Sequence, residues 1–385
     1  MRLRLNVMLA ALAVVAVSAP VSWAQAEIKV GAVLSITGPV AFMGEPQERT
    51  LKMDIEKINA EGGVLGQPLN LTIYDDGADA SKARTFAQRL IQDDKVSSIL
   101  GVTLTGPSMA LYPIAENAKV PVFTLAGAIQ LVEPIKKWMF KIGHTDRQAC
   151  SVLFQDMKSR GIERVGLISG NDSFGNSMRT QCLGMVDEYG IKIVADERYG
   201  PRDSDMTPQL VNIKNAPGLQ AVLSPGHGES ATILTRNYRQ LGFTQPLYQS
   251  HGVASHGYVS ATGAAAEGVR VPAPAILIAD QLPEDNPQRA VALDYAKRYQ
   301  ERFNEPAGFF GAAAADALRL FVAAAEKAGS TDPEKIRAAA EQLGPVVGAA
   351  GIYNLTDTDH LGLDTSTFYM SEVHDGKWRL LGPDE

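Results

Sequence analysis

The chain has 385 residues, a formal net charge of −7 and 45% hydrophobic residues. Its length exceeds what a single core usually organises, so two domains are expected. The acidic balance, with no basic cluster, leaves no electrostatic footprint for nucleic acid.

Residues 1–26 read as a secretory signal peptide: Arg2 and Arg4, then the apolar run Val7–Val17, then Ser22-Trp23-Ala24 and Ala24-Gln25-Ala26 as alternative small-x-small cleavage sites. The apolar run is short of the roughly 20 residues of a membrane anchor. A chain bound for an oxidising compartment permits a disulfide, and Cys150 and Cys182 are its two cysteines. Spacing alone leaves a disulfide and two buried thiols equally open.

The mature chain opens with a strand (Ile28–Ser35), a Gly/Pro loop (Thr37–Gly44) and a helix (Pro46–Ala60) stopped at Gly62-Gly63. Leu51, Ile55 and Ile58 make one apolar stripe on that helix. Strand Leu69–Tyr74, helix Ala80–Asp93, strand Ser98–Val102, a helix to Ala118 and strand Val120–Leu125 follow, and strand Trp138–Gly143 then leaves this unit. Such alternation predicts a parallel sheet covered on both faces. It restarts after Thr145 and runs to Pro272. A helical region (Pro287–Leu343) and a hairpin around Asp375-Gly376 close the chain.

Nucleotide and metal motifs are missing. Thr37-Gly38-Pro39 lacks both the GxGxxG pattern and the Walker spacing, and His251 and His256 are five apart with no HExxH. The run Ser224–Glu229 holds Ser, His and an acid, but no GxSxG elbow, so a secreted hydrolase is disfavoured. Asp75-Asp76 reads as a turn cap. Phe309-Phe310, Trp138 and Tyr112 read as packing.

Four stretches, in this order, carry a resemblance: IKVGAVLSITGPVAFMG with INAEGGVLGQPLNLTIYDD, then ILGVTLTGPSMALYPIAENAKVPVFTLAG, then RVGLISGNDSFG, then VGAAGIYNLTDTDHLGL. Together the chain resembles the periplasmic solute-binding proteins of ABC importers, in the leucine/isoleucine/valine-binding family. The resemblance implies an α/β fold of two Rossmann-like, doubly wound lobes joined by a three-strand hinge near Gly143, Gly268–Pro272 and Pro345–Gly351. Lobe one is expected over 27–143 plus 272–346, and lobe two over 144–271 plus 347–385. It further implies no enzymatic activity and no cofactor. The partners it implies are a small ligand and the membrane permease subunits, and a monomer is expected.

Carried over residue by residue, the resemblance places the ligand carboxylate on Thr105 and on the NH groups of Gly127-Ala128. The backbone oxygen that takes an amino acid's ammonium falls on Ala126. A threonine that touches both groups is replaced by Ala128. The acid that pairs with the ammonium is replaced by His251. Two tyrosines are replaced by Phe174 and His227, and a third by Met43, beside Phe42. A closed cleft must pair each buried charge of an amino acid. With a histidine for the carboxylate, the site suits an anion with an apolar body: an aromatic or short aliphatic carboxylate. An amino-acid ligand remains the alternative, because one displaced gap would bring Glu229 to the site. A periplasmic sensor is the other.

Overall fold

The computed structural model describes residues 27–200 and 202–382. The signal-peptide expectation lies outside them. No described helix is long and apolar enough to cross a membrane.

The first unit runs β1 (Ile28–Leu34), α1 (Ala41–Ala60), β2 (Leu69–Asp75), α2 (Ala80–Arg89), β3 (Ser98–Val102), α3 (Thr105–Ala118), β4 (Val122–Thr124) and β5 (Met139–Lys141). Its strands form one parallel sheet in the order β2-β1-β3-β4-β5. Side chains alternate across it, as pleating requires. Val33, Ile99 and Val122 pack with Ala83, Ala87, Leu111 and Ala115 of α2 and α3. Val30, Ala32 and Leu34 face Leu51 and Ile55 of α1.

The second unit runs α4 (Asp146–Ser159), β6 (Arg164–Gly170), α5 (Ser173–Tyr189), β7 (Lys192–Tyr199), α6 (Thr207–Lys214), β8 (Ala221–Ser224), α7 (Gly228–Gln240), β9 (Leu247–Gln249), α8 (His256–Thr262) and β10 (Arg270–Pro274). Then come α9 (Pro287–Phe303), α10 (Phe309–Ala328), α11 (Pro333–Ala340), β11 (Val346–Val347), β12 (Ile352–Tyr353), β13 (Phe368–His374) and β14 (Lys377–Leu380). The second sheet has the order β14-β13-β10-β9-β8-β6-β7. Its two C-terminal strands are antiparallel, and Asp375 and Gly376, both at positive φ, make the hairpin turn. Leu153, Phe154 and Met178 of α4 and α5 cover one face, and Leu210, Ile213, Leu234 and Tyr238 of α6 and α7 cover the other. Cys150 of α4 and Cys182 of α5 are joined by a disulfide, with Cα atoms 5.2 Å apart.

Two local expectations are corrected. Helix α1 begins at Ala41, not Pro46. Phe42 and Met43 therefore stand on its first turn rather than in a loop, and Pro46 is tolerated one turn in. Strand β5 does not leave the first unit: it pairs in parallel with β4 as the sheet's edge. The segment 346–360 packs beside the first sheet, because Asp316 of α10 accepts the N–H groups of Ala349 and Ala350, each at 2.8 Å. The backbone oxygen of His360 accepts the Lys141 N–H at 2.9 Å. We therefore propose the third lobe crossing at residues 362–364, after the 345–351 expected.

Helix α10 carries alanines at 312–315, 317 and 323–325. These small side chains let it lie against α1 and β3 with most of its length buried. Its first two residues, Phe309 and Phe310, thereby reach the space between the lobes.

Candidate functional site

The carboxyl ends of both sheets point at one cleft, the place where open α/β sheets take ligands. In its floor is a small cavity of about 40 Å³. The first lobe supplies Met43 of α1, Thr103, Leu104 and Thr105 of the β3–α3 turn, and Leu125 and Gly127 after β4. Phe309 and Phe310 add an apolar wall. The second lobe supplies Phe174 from the first turn of α5, His227 before α7, and His251 and Gly252 after β9. His144, on the crossing between the sheets, completes the lining, and none of these residues is acidic.

Of the residues named from sequence, Met43, Thr105, Gly127, Phe174, His227 and His251 thus meet in one cavity. Phe42 stands next to it, against Phe310 at 5.6 Å between ring centroids, and lines the neighbouring grooves. Ala126 and Ala128 are buried behind the wall and line none of the cleft's pockets described here. Sequence reasoning missed Phe309 and Phe310, which it assigned to packing, as well as His144, Thr103, Leu104, Leu125 and Gly252. An aromatic pair at a helix start is compatible with a core or a cleft wall, and only the course of α10 decides.

The lobes touch across the cavity. A methyl group added to Gly127 would meet the Phe174 ring at 2.7 Å and His251 Nε2 at 2.9 Å, both from the other lobe. The Asp146 N–H donates to Gly127 O at 2.9 Å, and Asp146 Oδ1 accepts the Ile129 N–H at 2.8 Å. This conformation is closed.

The polar atoms left over are donors or can be. Thr105 Oγ1, His251 Nδ1 and His227 Nδ1 are buried with no hydrogen-bond partner in the protein. Such groups are costly unless something satisfies them. Burial, reinforced by Lys141, His144 and His227, holds the His251 ring pKa well below its usual value, so it is neutral. Burial and Lys141 push His144 down to about 3. A neutral imidazole still offers one N–H.

Helix ends add to this. Asp79 caps α2 and Asp172 caps α5 through their carboxylates. Helix α3 instead starts from Leu104 with no side-chain cap, so its first N–H groups are open to an anion. Asp172, which lines the groove beside the cavity, is already engaged: its Oδ1 lies 3.3 Å from His227 Nε2. Burial pushes Asp172 up, but His227 and the N–H groups of Gly175 and Phe174 outweigh it and hold the carboxyl well below its usual range. Glu229 stays outside the cavity, on the wider groove that shares Thr105 and His227 with it.

On the first lobe, Asp75 and Asp76 serve the loops. Asp75 Oδ1 accepts N–H groups of Ile36, Thr37 and Gly77, and Asp76 Oδ1 accepts Ser35 Oγ–H and the Ala78 N–H. Thr103 ties the strand ends together, donating to Gln47 Oε1 at 2.6 Å and accepting the Ser35 N–H at 3.0 Å.

Comparison with known proteins places this geometry. A family model described as "Periplasmic binding protein" matches residues 27–377. The leucine-, isoleucine-, valine-, threonine- and alanine-binding protein of Pseudomonas aeruginosa is 27% identical over 335 residues, 86% of this chain and 87% of that one. An extracellular ligand-binding receptor from Rhodopseudomonas palustris HaA2 superposes with a TM-score of 0.87 and 28% identity, covering 93% of this chain and 100% of that chain. A solute-binding protein of an R. palustris ABC transporter, solved in complex with benzoate, shares the fold at a TM-score of 0.81 and 20% identity, over 93% and 96% of the two chains. Members of this family are solute-binding receptors, not enzymes, and the family is periplasmic. The chain belongs to the periplasmic binding proteins, as a two-lobed, type I member of the leucine/isoleucine/valine-binding family.

Proposed function

We propose that this protein captures a small carboxylate, aromatic or short aliphatic, in the periplasm and delivers it to the permease of an ABC importer. Export through cleavage within residues 1–26 belongs to this reading. One observation carries it: the cavity has no acidic lining and leaves Thr105 Oγ1 and His251 Nδ1 buried without partners. An anion satisfies these atoms, while an ammonium finds no counter-charge there. Met43, Phe174, Phe309 and Phe310 suit an apolar body. The fold alone accommodates such a ligand in the benzoate-bound neighbour.

Closure is the working step. Binding joins Thr105 and Gly127 of one lobe to His251 and Phe174 of the other and favours the closed surface that a permease meets. A second reading, an amino-acid receptor, is favoured by Glu229, which opens on the groove next to Thr105, and by the name of the P. aeruginosa relative. A thermal-shift panel separates them. Benzoate and short aliphatic acids are expected to raise the melting temperature more than leucine or alanine. Stabilisation by amino acids alone would reject the carboxylate.

A further inference from the structure

Lys141, the last residue of β5, is completely buried. Its Nζ donates to the carbonyl oxygens of Gly143 at 2.6 Å and His144 at 2.8 Å. Neither partner carries charge. Asp146, whose charge it feels, spends Oδ1 on the N–H groups of Ile129 and Arg147, while its Oδ2 is buried with no hydrogen-bond partner in the protein. A buried ammonium held by neutral oxygens is expensive to keep charged. Burial pushes it down to about 7, against the opposing pull of Asp146.

That charge reaches the ligand space. Next to burial itself, Lys141 is the largest influence keeping His144 and His251 neutral, and both line the cavity. His227 acts on His251 from the α7 loop and pairs with Asp172. His360, whose backbone oxygen accepts the Lys141 N–H, turns its Nε2 to Glu341. Asp316 is reached through Tyr353, whose hydroxyl donates to it at 3.1 Å. His144, the carrier of the carbonyl that Lys141 grips, itself lines the cavity.

We infer that Lys141 is the counter-charge of the bound carboxylate, a specificity-determining cation that acts across the His144 and His251 layer without touching the ligand. This rests on the carboxylate reading above. The ligand's negative charge stabilises the ammonium, so binding raises its proton affinity and takes up a proton near and above neutral pH. Conversely, anion affinity is full at acidic pH and falls as pH rises through the range where the empty site loses that proton.

Calorimetry with benzoate and benzamide, which differ in charge but hardly in shape, tests this on the wild type, Lys141→Met and Lys141→Arg. Wild-type affinity for benzoate is expected to fall at least about fivefold from pH 6 to pH 8.5, with proton uptake visible between buffers of different ionisation enthalpy. Lys141→Met is expected to weaken benzoate about tenfold or more and benzamide less than about threefold. Lys141→Arg is expected to keep benzoate and flatten the pH dependence, because a guanidinium does not titrate there. Equal losses for both probes in Lys141→Met, or a wild type with neither pH dependence nor proton uptake, overturn the inference. If Lys141→Met does not fold, the arginine variant and the wild-type proton count decide. If the wild type takes leucine and not benzoate, the carboxylate reading fails, and Lys141 is then judged by the same ratio between leucine and leucinamide.

Discussion

Gly127→Ala isolates lobe closure from lobe stability. Gly127 is not among the residues at positive φ, so alanine fits its backbone. The three atoms nearest the new methyl are Phe174 Cε2 and Cδ2 and His251 Nε2, at 2.7, 3.2 and 2.9 Å. Carbon atoms prefer about 3.5–4.0 Å, so the Phe174 ring must retreat by roughly 0.8 Å or the lobes stay ajar. Overpacking of this kind costs about 1–3 kcal/mol. Both clashing groups sit on the other lobe, so the cost falls on the closed state alone. At about 1.4 kcal/mol per decade, Kd rises roughly 5- to 150-fold for the best ligand of the thermal-shift panel. The ligand-free melting temperature stays within about 1 °C, since neither lobe's core changes. Calorimetry and a ligand-free melt read the two quantities. An unchanged Kd, or a melting loss with no affinity loss, would refute closure across Gly127.

Thr105→Val removes a buried hydroxyl without changing shape. A charge-assisted bond of about 1.5–3 kcal/mol is lost, so calorimetry is expected to show at least tenfold weaker binding. Replacing Cys150 and Cys182 with serine opens a loop with a sequence separation of 32. Chain entropy alone puts the loss at roughly 3–4 kcal/mol in denaturant melts, and ligand affinity of the folded protein is expected to persist. Asp316 is pushed up to about 6 by burial, against its bonds from Ala350 and Ala349. Its folded pKa lies above its unfolded one, so the folded state holds the extra proton between about pH 4 and 6 and stability declines as pH rises through that window. In Asp316→Asn that component of the pH profile is expected to vanish; an identical profile would remove Asp316 as its source.

Much of the fold was legible because period and spacing carry it: alternating strands and helices, Gly and Asp turns, an alanine-rich helix. The meeting of Thr105, Phe174, His227 and His251 was legible because each follows a strand's carboxyl end, where chains in such sheets converge. The first turn of α1 was not. Phe42 and Met43 follow a Gly-Pro pair that signals a loop, while Pro46 signals a start five residues late. Phe309 and Phe310 have no local mark that distinguishes a wall from a core. Lys141 carried a signal that went unused: a lone cation in Met139-Phe140-Lys141-Ile142, where only apolar side chains pack at low cost. For the third crossing, the glycines and alanines of 346–351 resemble a joint, and Asp316, the residue that fastens them, sits 30 or more positions earlier.

Phe309 stands between the ligand space and the first crossing. A Cβ on Gly143 would lie 2.9 Å from its ring, and seven residues along the same helix Asp316 grips the segment leading to the proposed third crossing. With the proposed site and crossings, the wall that measures the ligand is part of the joint that turns the lobes. A guest slightly too large has room only by pressing this ring toward the joint, which sets the angle at which the two halves come to rest. Occupancy and delivery can then part company: a compound held firmly at the wrong angle would block its importer instead of passing through it, so the tightest binder for this receptor need not be its cargo.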